Sequence, residues 1–436
     1  MKTDNGQQSE TDSLQNQTIH RTVLDNGIVV LVVENPAADI IAARIFVQAG
    51  SCWERLEQAG LAHLLSRVIT KGTQELSSLE IASRVESVGS SLSADAAADY
   101  FLLSMKTVTS DFAEILELAG KLLRSPTFPE VEVELERRLA LQDIRSQQEQ
   151  PFTIAFDQLR QAMYQNHPYA MSGLGCEATV AALTRADLQR YHQTYFRPDN
   201  VVISIAGRVT SADAVALVSG IFGDWQAIST PLPNLTLPTL IPQPYQVTKP
   251  QQTQQSIVIL GYLAPSVHKA DYTVLKLLSS YLGNGLSSRL FVELREKRGL
   301  AYEVSAFYPT RQDTATFVVY MGTAPENTVI ALEGLRTEVE ALCTAQLSEE
   351  ALQAAKNKLL GQYALGKQTN AQIAQVFGWY ETLGLGISFD TQFQQEVAGV
   401  TAAMAQEAAS RYLLEPYVSL VGPEEAINSL VAPAAI

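Results

Sequence analysis

Six prolines (Pro231, Pro233, Pro238, Pro242, Pro244 and Pro250) fall within twenty residues that carry few charges and show no helical period. Each proline fixes φ and removes a backbone donor, so the stretch is neither helix nor central strand and reads as an extended linker over residues 231–250. It divides the chain into two halves of about 200 residues, a size at which each half builds its own core. The organisation expected is a frayed tail over 1–19, an N-terminal domain over 20–230, the linker, and a C-terminal domain over 251–436.

The two halves repeat one order of elements. Runs rich in β-branched and aromatic residues predict strands over 27–34, 40–48, 100–108 and 201–206 in the first half, and over 255–262, 301–308 and 314–321 in the second. Amphipathic patterns predict helices over 78–88, 111–124, 131–148, 273–282, 328–345 and 348–363. Strands, helices, a strand pair and then long helices give an α+β class, with helices gathered on one face of a mostly antiparallel sheet in each of two similar domains. A weak duplication relates residues 60–73 to residues 284–302.

Composition narrows the function classes. Hydrophobic residues make up 46% and charged residues 18%, enough apolar material for real cores and too little charge for disorder. A net charge of −15 and a pI near 4.9 argue against nucleic acid or an anionic membrane as partner and favour basic or neutral peptides. No run approaches the roughly 20 apolar residues that span a bilayer. Cys52, Cys176 and Cys343 are odd in number and far apart, forming neither a zinc pattern nor a disulfide framework, as in a reducing compartment. The polar segment up to Gln17 matches neither a secretory signal nor a transit peptide, so a cytoplasmic location is expected.

The chemistry concentrates at Gly60-Leu61-Ala62-His63-Leu64-Leu65-Ser66-Arg67. The segment resembles the inverted zinc motif His-x-x-Glu-His of the pitrilysin or insulinase family of metallopeptidases, in its mitochondrial-processing-peptidase-like branch. There, two histidines on one helical face reach one Zn²⁺ and the glutamate deprotonates the metal-bound water. Here only His63 is kept: Ser66 stands for the glutamate and Arg67 for the second histidine. Serine offers no basicity near neutral pH, and a guanidinium has no lone pair for a metal and repels one. Counting by the family's spacing places the third ligand at Asp143, so an Arg67–Asp143 ion pair is expected across the former metal position. His63 alone cannot close a site and also reads as a packed helix histidine.

The resemblance extends over nearly the whole chain after the tail. Leu24-Asp25-Asn26-Gly27, Ala49-Gly50-Ser51 with Glu54, Lys71-Gly72-Thr73, His167-Pro168-Tyr169, Gly173-Leu174-Gly175 and Tyr195-Phe196-Arg197-Pro198-Asp199-Asn200 all carry it. It implies two similar domains forming one half of a clamshell around a peptide chamber. In the second half, Gly283 to Phe291 and Glu293 to Tyr302 are nearly intact. Family equivalents of Arg298 and Tyr302 reach a zinc site, bind substrate and steady the oxyanion, work that suits a guanidinium and a phenol. On residue type alone the same two are a solvated arginine and a core tyrosine.

The glycine-rich loop with Gly285, Ser287 and Ser288 lacks the Gly-Lys-Ser/Thr of a phosphate loop and reads as a hinge or substrate contact. By the same resemblance, an extended peptide adds as a strand beside Gly89 to Ala94, where Ser93 replaces the family's usual asparagine next to Ala94; a plain polar edge strand is the alternative. The resemblance therefore implies a degenerate, zinc-less subunit of a heterodimeric peptidase. It would bind peptide and supply Arg298 and Tyr302 to a homologous partner that keeps the intact motif and the zinc. Two other classes stay open: a non-enzymatic scaffold or assembly subunit, and an active peptidase with a rearranged site in which His63, Asp143 and Glu136 hold the metal.

Overall fold

The computed structural model describes residues 18–428 and 430. The first half contributes β1 (Ile19–Val23), β2 (Val29–Glu34), β3 (Ile40–Val47), β4 (Ser91–Ala96), β5 (Phe101–Val108) and β6 (Val201–Gly207), arranged β1-β2-β6-β3-β5-β4. The second contributes β7 (Gln246–Pro250), β8 (Ser256–Ala264), β9 (Glu303–Phe307), β10 (Ala315–Thr323) and β11 (Tyr417–Gly422), arranged β7-β11-β8-β10-β9.

The two sheets share a topology. β6 runs parallel to β2 and antiparallel to β3, while β11 runs parallel to β7 and antiparallel to β8; the remaining pairs are antiparallel. The duplication is therefore real, but its register differs from the expected one. β4 and β9 are equivalent edge strands, so residues 284–302 precede β9 as residues 74–90 precede β4. The counterpart of the 60–73 helix is the one that follows β8.

Helices follow in chain order. The first half has α1 (Leu61–Val68), α2 (Ser78–Ser87), α3 (Phe112–Arg124), α4 (Glu130–Gln148), α5 (Pro151–Tyr164), α6 (Glu177–Ala182), α7 (Arg185–Tyr195) and α8 (Ser211–Phe222). The second has α9 (Asp271–Gly283), α10 (Thr328–Thr344), α11 (Glu349–Leu365), α12 (Asn370–Thr382), α13 (Phe389–Gly399), α14 (Ala402–Tyr412) and α15 (Glu424–Asn428), with a π-turn at Phe291–Glu296.

Successive side chains of a strand point to opposite faces, and the central strands are apolar on both. In β8, Val258, Leu260 and Tyr262 enter the core beneath the second half's own helices, whereas Ile257 and Ile259 enter a different one. That second core is closed by α5, a first-half helix whose Ile154, Leu159 and Met163 lie on the far face of the second sheet. Reciprocally, Leu31 and Val33 of β2 meet Ile373, Ala374 and Phe377 of α12. Each sheet thus has its own helices on one face and one helix from the other half on the opposite face.

Glycines permit both crossings. A Cβ on Gly261 of β8 would lie 2.7 Å from Met163 of α5, and one on Gly378 of α12 would lie 2.4 Å from the Phe46 ring of β3.

Two expected boundaries move. The linker ends earlier than residue 250, because Gln246–Pro250 pair in parallel with β11. A proline at the last position of an edge strand costs no ladder bond, which is why proline count alone placed it in the linker. The tail over 1–19 lies outside the described residues except for its end, where Ile19 opens β1 and pairs with Val33. Among the described residues no helix is long and apolar enough to cross a membrane.

Candidate functional site

Helix α1 begins where two glycines interlock. Gly60 has φ of +96° and a Cβ there would lie 2.5 Å from the Leu174 carbonyl oxygen; Gly175 has φ of +75° and a Cβ there would lie 2.1 Å from the Ala59 carbonyl oxygen. Side chains are excluded at both, so the loop through Leu174 seats directly on the helix start. The Glu54 carboxylate accepts the Gly60 and Ala62 backbone N–H groups at 2.9 and 2.6 Å, capping donors that a helix start leaves unpaired. Burial pushes that carboxyl up to about 8, with the two backbone bonds acting in the opposite sense.

One turn further on lies the degenerate motif. Ser66 is buried and spends its hydroxyl on the His63 carbonyl at 2.7 Å. Arg67 leaves the helix toward α4, where its Nε bonds Glu136 Oε2 at 2.7 Å and its Nη1 bonds Asp143 Oδ2 at 2.8 Å. The expected Arg67–Asp143 contact is therefore present, but it is the lesser half of the arrangement. Glu136, two turns before Asp143 on the same face, also receives Lys71 Nζ at 3.0 Å. The Glu136 side chain is 8% exposed and that of Asp143 50%.

The electrostatics follow from this packing. Burial by itself raises the Glu136 carboxyl, yet the bonds from Arg67 and Lys71 outweigh it and hold the group below the ordinary carboxylate range. Burial, reinforced by the neighbouring Arg67 charge, pushes His63 down, so it is neutral near pH 7. Its Nε2 is buried and has no hydrogen-bond partner.

This donor set does not fit zinc, which needs three or four N, S or O donors converging on one point. Both carboxylates are engaged by cations, and among the described residues no group of three or more His, Cys, Asp and Glu is placed to hold a metal. Of the residues in the rearranged set His63, Asp143 and Glu136, the helices bring Glu136 beside α1, where it meets Arg67 and Lys71, and Asp143 meets Arg67.

The second set lies on the other half. Glu338 of α10, buried at 3% exposure, receives Arg289 Nε at 2.7 Å and Arg298 Nη2 at 3.4 Å. Arg298 is thus held loosely and stays partly exposed. Tyr302 is 63% exposed, bonds among the described residues through its backbone N–H to the Gly322 carbonyl, and precedes β9. Of the loop residues, Gly285 (φ +81°) and Ser287 face solvent, whereas Ser288 is buried beneath the turn closed by its own N–H to Gly285 O, which removes it from the exposed surface. No hydrogen bond or ion pair among the described residues joins Arg298 or Tyr302 to the His63–Arg67 site.

The proposed peptide edge is open. β4 pairs with β5 alone, leaving its other edge free, with Ser91, Ser93 and Asp95 exposed and Ala94 half-buried. The contacts of Glu136, Glu338 and Glu54 were not read from sequence. Glu136 carried a signal, its two-turn spacing from Asp143; Glu338 carried none.

Two sheets of one topology, each with its own helices, and an Arg67–Glu136–Lys71–Asp143 ion-pair network on the first half are what the comparisons with known proteins meet. Residues 29–176 match the family model of insulinase (peptidase family M16), and residues 182–359 match that of the M16 inactive domain. The chain belongs to the M16 insulinase family. An uncharacterized zinc protease of Bacillus subtilis, YmxG, is 27% identical over 82% of this chain and 87% of its own length, and one of Streptomyces coelicolor is 27% identical over 93% and 90%. Among solved structures, a protease from Helicobacter pylori superposes with a TM-score of 0.87 at 22% identity, covering 93% of this chain and 99% of its own. A peptidase M16 inactive domain from Pseudomonas fluorescens gives 0.85 at 23%, covering 93% and 98%. At these identities the structural likeness speaks for the fold alone.

Proposed function

We propose that this chain is the zinc-less subunit of a heterodimeric M16 peptidase. It binds extended peptide along the free edge of β4 and supplies Arg298 and Tyr302 to the active site of a homologous partner that keeps the intact motif and its zinc. The observation that carries this is an asymmetry within one chain. The metal position is closed by Arg67, Glu136, Lys71 and Asp143, while Arg298 and Tyr302 remain exposed and weakly tied. A merely structural tyrosine at a strand start packs inward, whereas this one presents its phenol to solvent. The relatives named as zinc proteases supply the class of reaction, peptide hydrolysis.

The test mixes the purified chain with an intact-motif relative from the same genome and follows a quenched fluorescent peptide library. Activity is expected only in the mixture. In that complex, Arg298→Ala or Tyr302→Phe lowers turnover by about 10²-fold or more, as loss of an oxyanion donor does. Near-wild-type turnover in both variants refutes the assignment, and a mixture no more active than the relative alone returns the chain to the scaffold class.

A further inference from the structure

The last residue of β4 leads into a cavity of about 160 Å³ between the two halves. Ala96, Ala97 and Ala98 form one wall; Arg160 of α5 and Arg311, from the turn between β9 and β10, stand in the others. The volume corresponds to about five waters, or to one carboxylate on a short stem.

The two arginines are under-used. Arg311 lies against the Tyr169 ring, 5.2 Å from guanidinium carbon to centroid, yet among the described residues its side chain makes no hydrogen bond and no ion pair. Asp99 is near enough for Arg311 to stabilise its charge, but that carboxylate is buried and its Oδ1 is already held by the Tyr169 hydroxyl at 2.5 Å and approached by Cys52 Sγ at 3.7 Å. Arg160 gives Nη2 to Asp157 at 2.5 Å and Nη1 to the Met171 carbonyl at 3.2 Å, while its Nε is buried without a partner. A guanidinium offers five N–H donors in a rigid fork; the unmet Arg160 Nε lies away from water, where that is costly, while the half-buried Arg311 keeps its fork free of protein acceptors among the described residues. The acceptor that matches the fork is a carboxylate, taken by two parallel charge-assisted bonds.

We propose that this cavity is a carboxylate subsite, in which Arg311, assisted by Arg160, captures an acidic group of an extended peptide paired to β4. The inference rests on the peptide-binding reading above and adds to it a preference that the chain's overall negative charge conceals. The carboxylate comes either from the peptide's C-terminus or from an aspartate or glutamate side chain.

Fluorescence anisotropy on the intact chain tests this with four forms of one labelled peptide: free acid, C-terminal amide, the free acid with its acidic side chains changed to Asn or Gln, and the amide with an N-methylated backbone. At least one carboxylate tightens binding tenfold or more over its neutral form, and which replacement abolishes the gain identifies the source. Arg311→Gln brings the acidic peptide to the affinity of the neutral one and leaves the neutral one unchanged. Arg311→Lys keeps part of the gain, because the charge remains while the fork is lost. Should neutral and acidic forms bind alike, while N-methylation abolishes binding of the amide, strand pairing stands and the subsite falls. Equal weakening of both peptides by Arg311→Gln also overturns the subsite, as a packing defect. If no form binds, the peptide-binding reading itself fails, and the subsite with it.

Discussion

Arg67 is shared between two carboxylates in unlike surroundings, and the difference is measurable. The perturbation is a pair of double-mutant cycles, Arg67→Ala with Glu136→Gln and Arg67→Ala with Asp143→Asn. At an effective dielectric near 20, either contact carries a gross attraction of about 4 kcal/mol, most of it offset by desolvation and side-chain ordering. The Glu136 carboxylate is 8% exposed and sits 2.7 Å from Arg67, so water does little for it once the guanidinium is removed. Lys71 at 3.0 Å limits the damage, which sets the expected coupling at about 2 kcal/mol, within the range for hydrogen bonds to charged groups. Asp143 has the same contact distance but is 50% exposed, so its coupling is expected at about 0.5 kcal/mol, as for surface pairs. Urea unfolding at low ionic strength reads both cycles, and raising the salt should shrink the Asp143 term more than the Glu136 term. A coupling to Asp143 equal to or larger than that to Glu136 refutes the argument, since it would mean that burial does not set the strength of this network.

Three further outcomes are expected. Ser66→Glu combined with Arg67→His restores the inverted motif and frees the α4 carboxylates, so the double variant should retain about one zinc per chain after dialysis, where the wild type retains none; metal content equal to wild type refutes the vestigial reading of His63. His192 is buried, its Nε2 lies 2.8 Å from the Leu123 carbonyl, and burial pushes it down to about 4. Its folded value lies below the ordinary 6.5, so its share of stability is full above pH 6.5 and is lost as pH falls toward 4; His192→Gln should flatten the stability profile in that window by about one proton, and an unchanged slope counts against it. Gly175→Ala forces a Cβ to 2.1 Å from the Ala59 carbonyl oxygen at positive φ, so a loss of about 2 kcal/mol or more is expected by thermal unfolding, and a neutral result refutes the interlock with Gly60.

Much of this was written in the sequence, for identifiable reasons. The degenerate motif was legible because residue type alone decides metal chemistry: no packing turns the guanidinium of Arg67 into a ligand. The Arg67–Asp143 contact followed from the family resemblance, whose spacing places the third ligand at Asp143. Glu136 was legible only as a same-face neighbour of Asp143; that it would bind Arg67 and Lys71 depended on how α1 crosses α4, which no single segment encodes. β8 was read as a strand because it is apolar throughout. The helices that cover its far face and that of β2 were overlooked, since α5 and α12 are named by what they touch in the other half. β7 was hidden by Pro250, and β11 lay beyond the last strand expected.

The exchange of α5 and α12 has a consequence for synthesis on the ribosome. The far face of the first sheet, with Leu31 and Val33, waits for Ile373 and Phe377, about 340 residues later in the chain. The first sheet is complete only once β6 has been made at residue 207, about 165 residues before Ile373, so at roughly 5–20 residues per second its apolar face lacks cover for on the order of 8–33 s. The α5 helix is made before the sheet it covers, so it must wait with its own apolar face exposed. A nascent-chain holdase that shields extended hydrophobic surface therefore has two places to act on this chain. Premature termination after β6 is complete but before α12, between about residues 207 and 370, releases a product whose first sheet is complete, sticky and unable to finish.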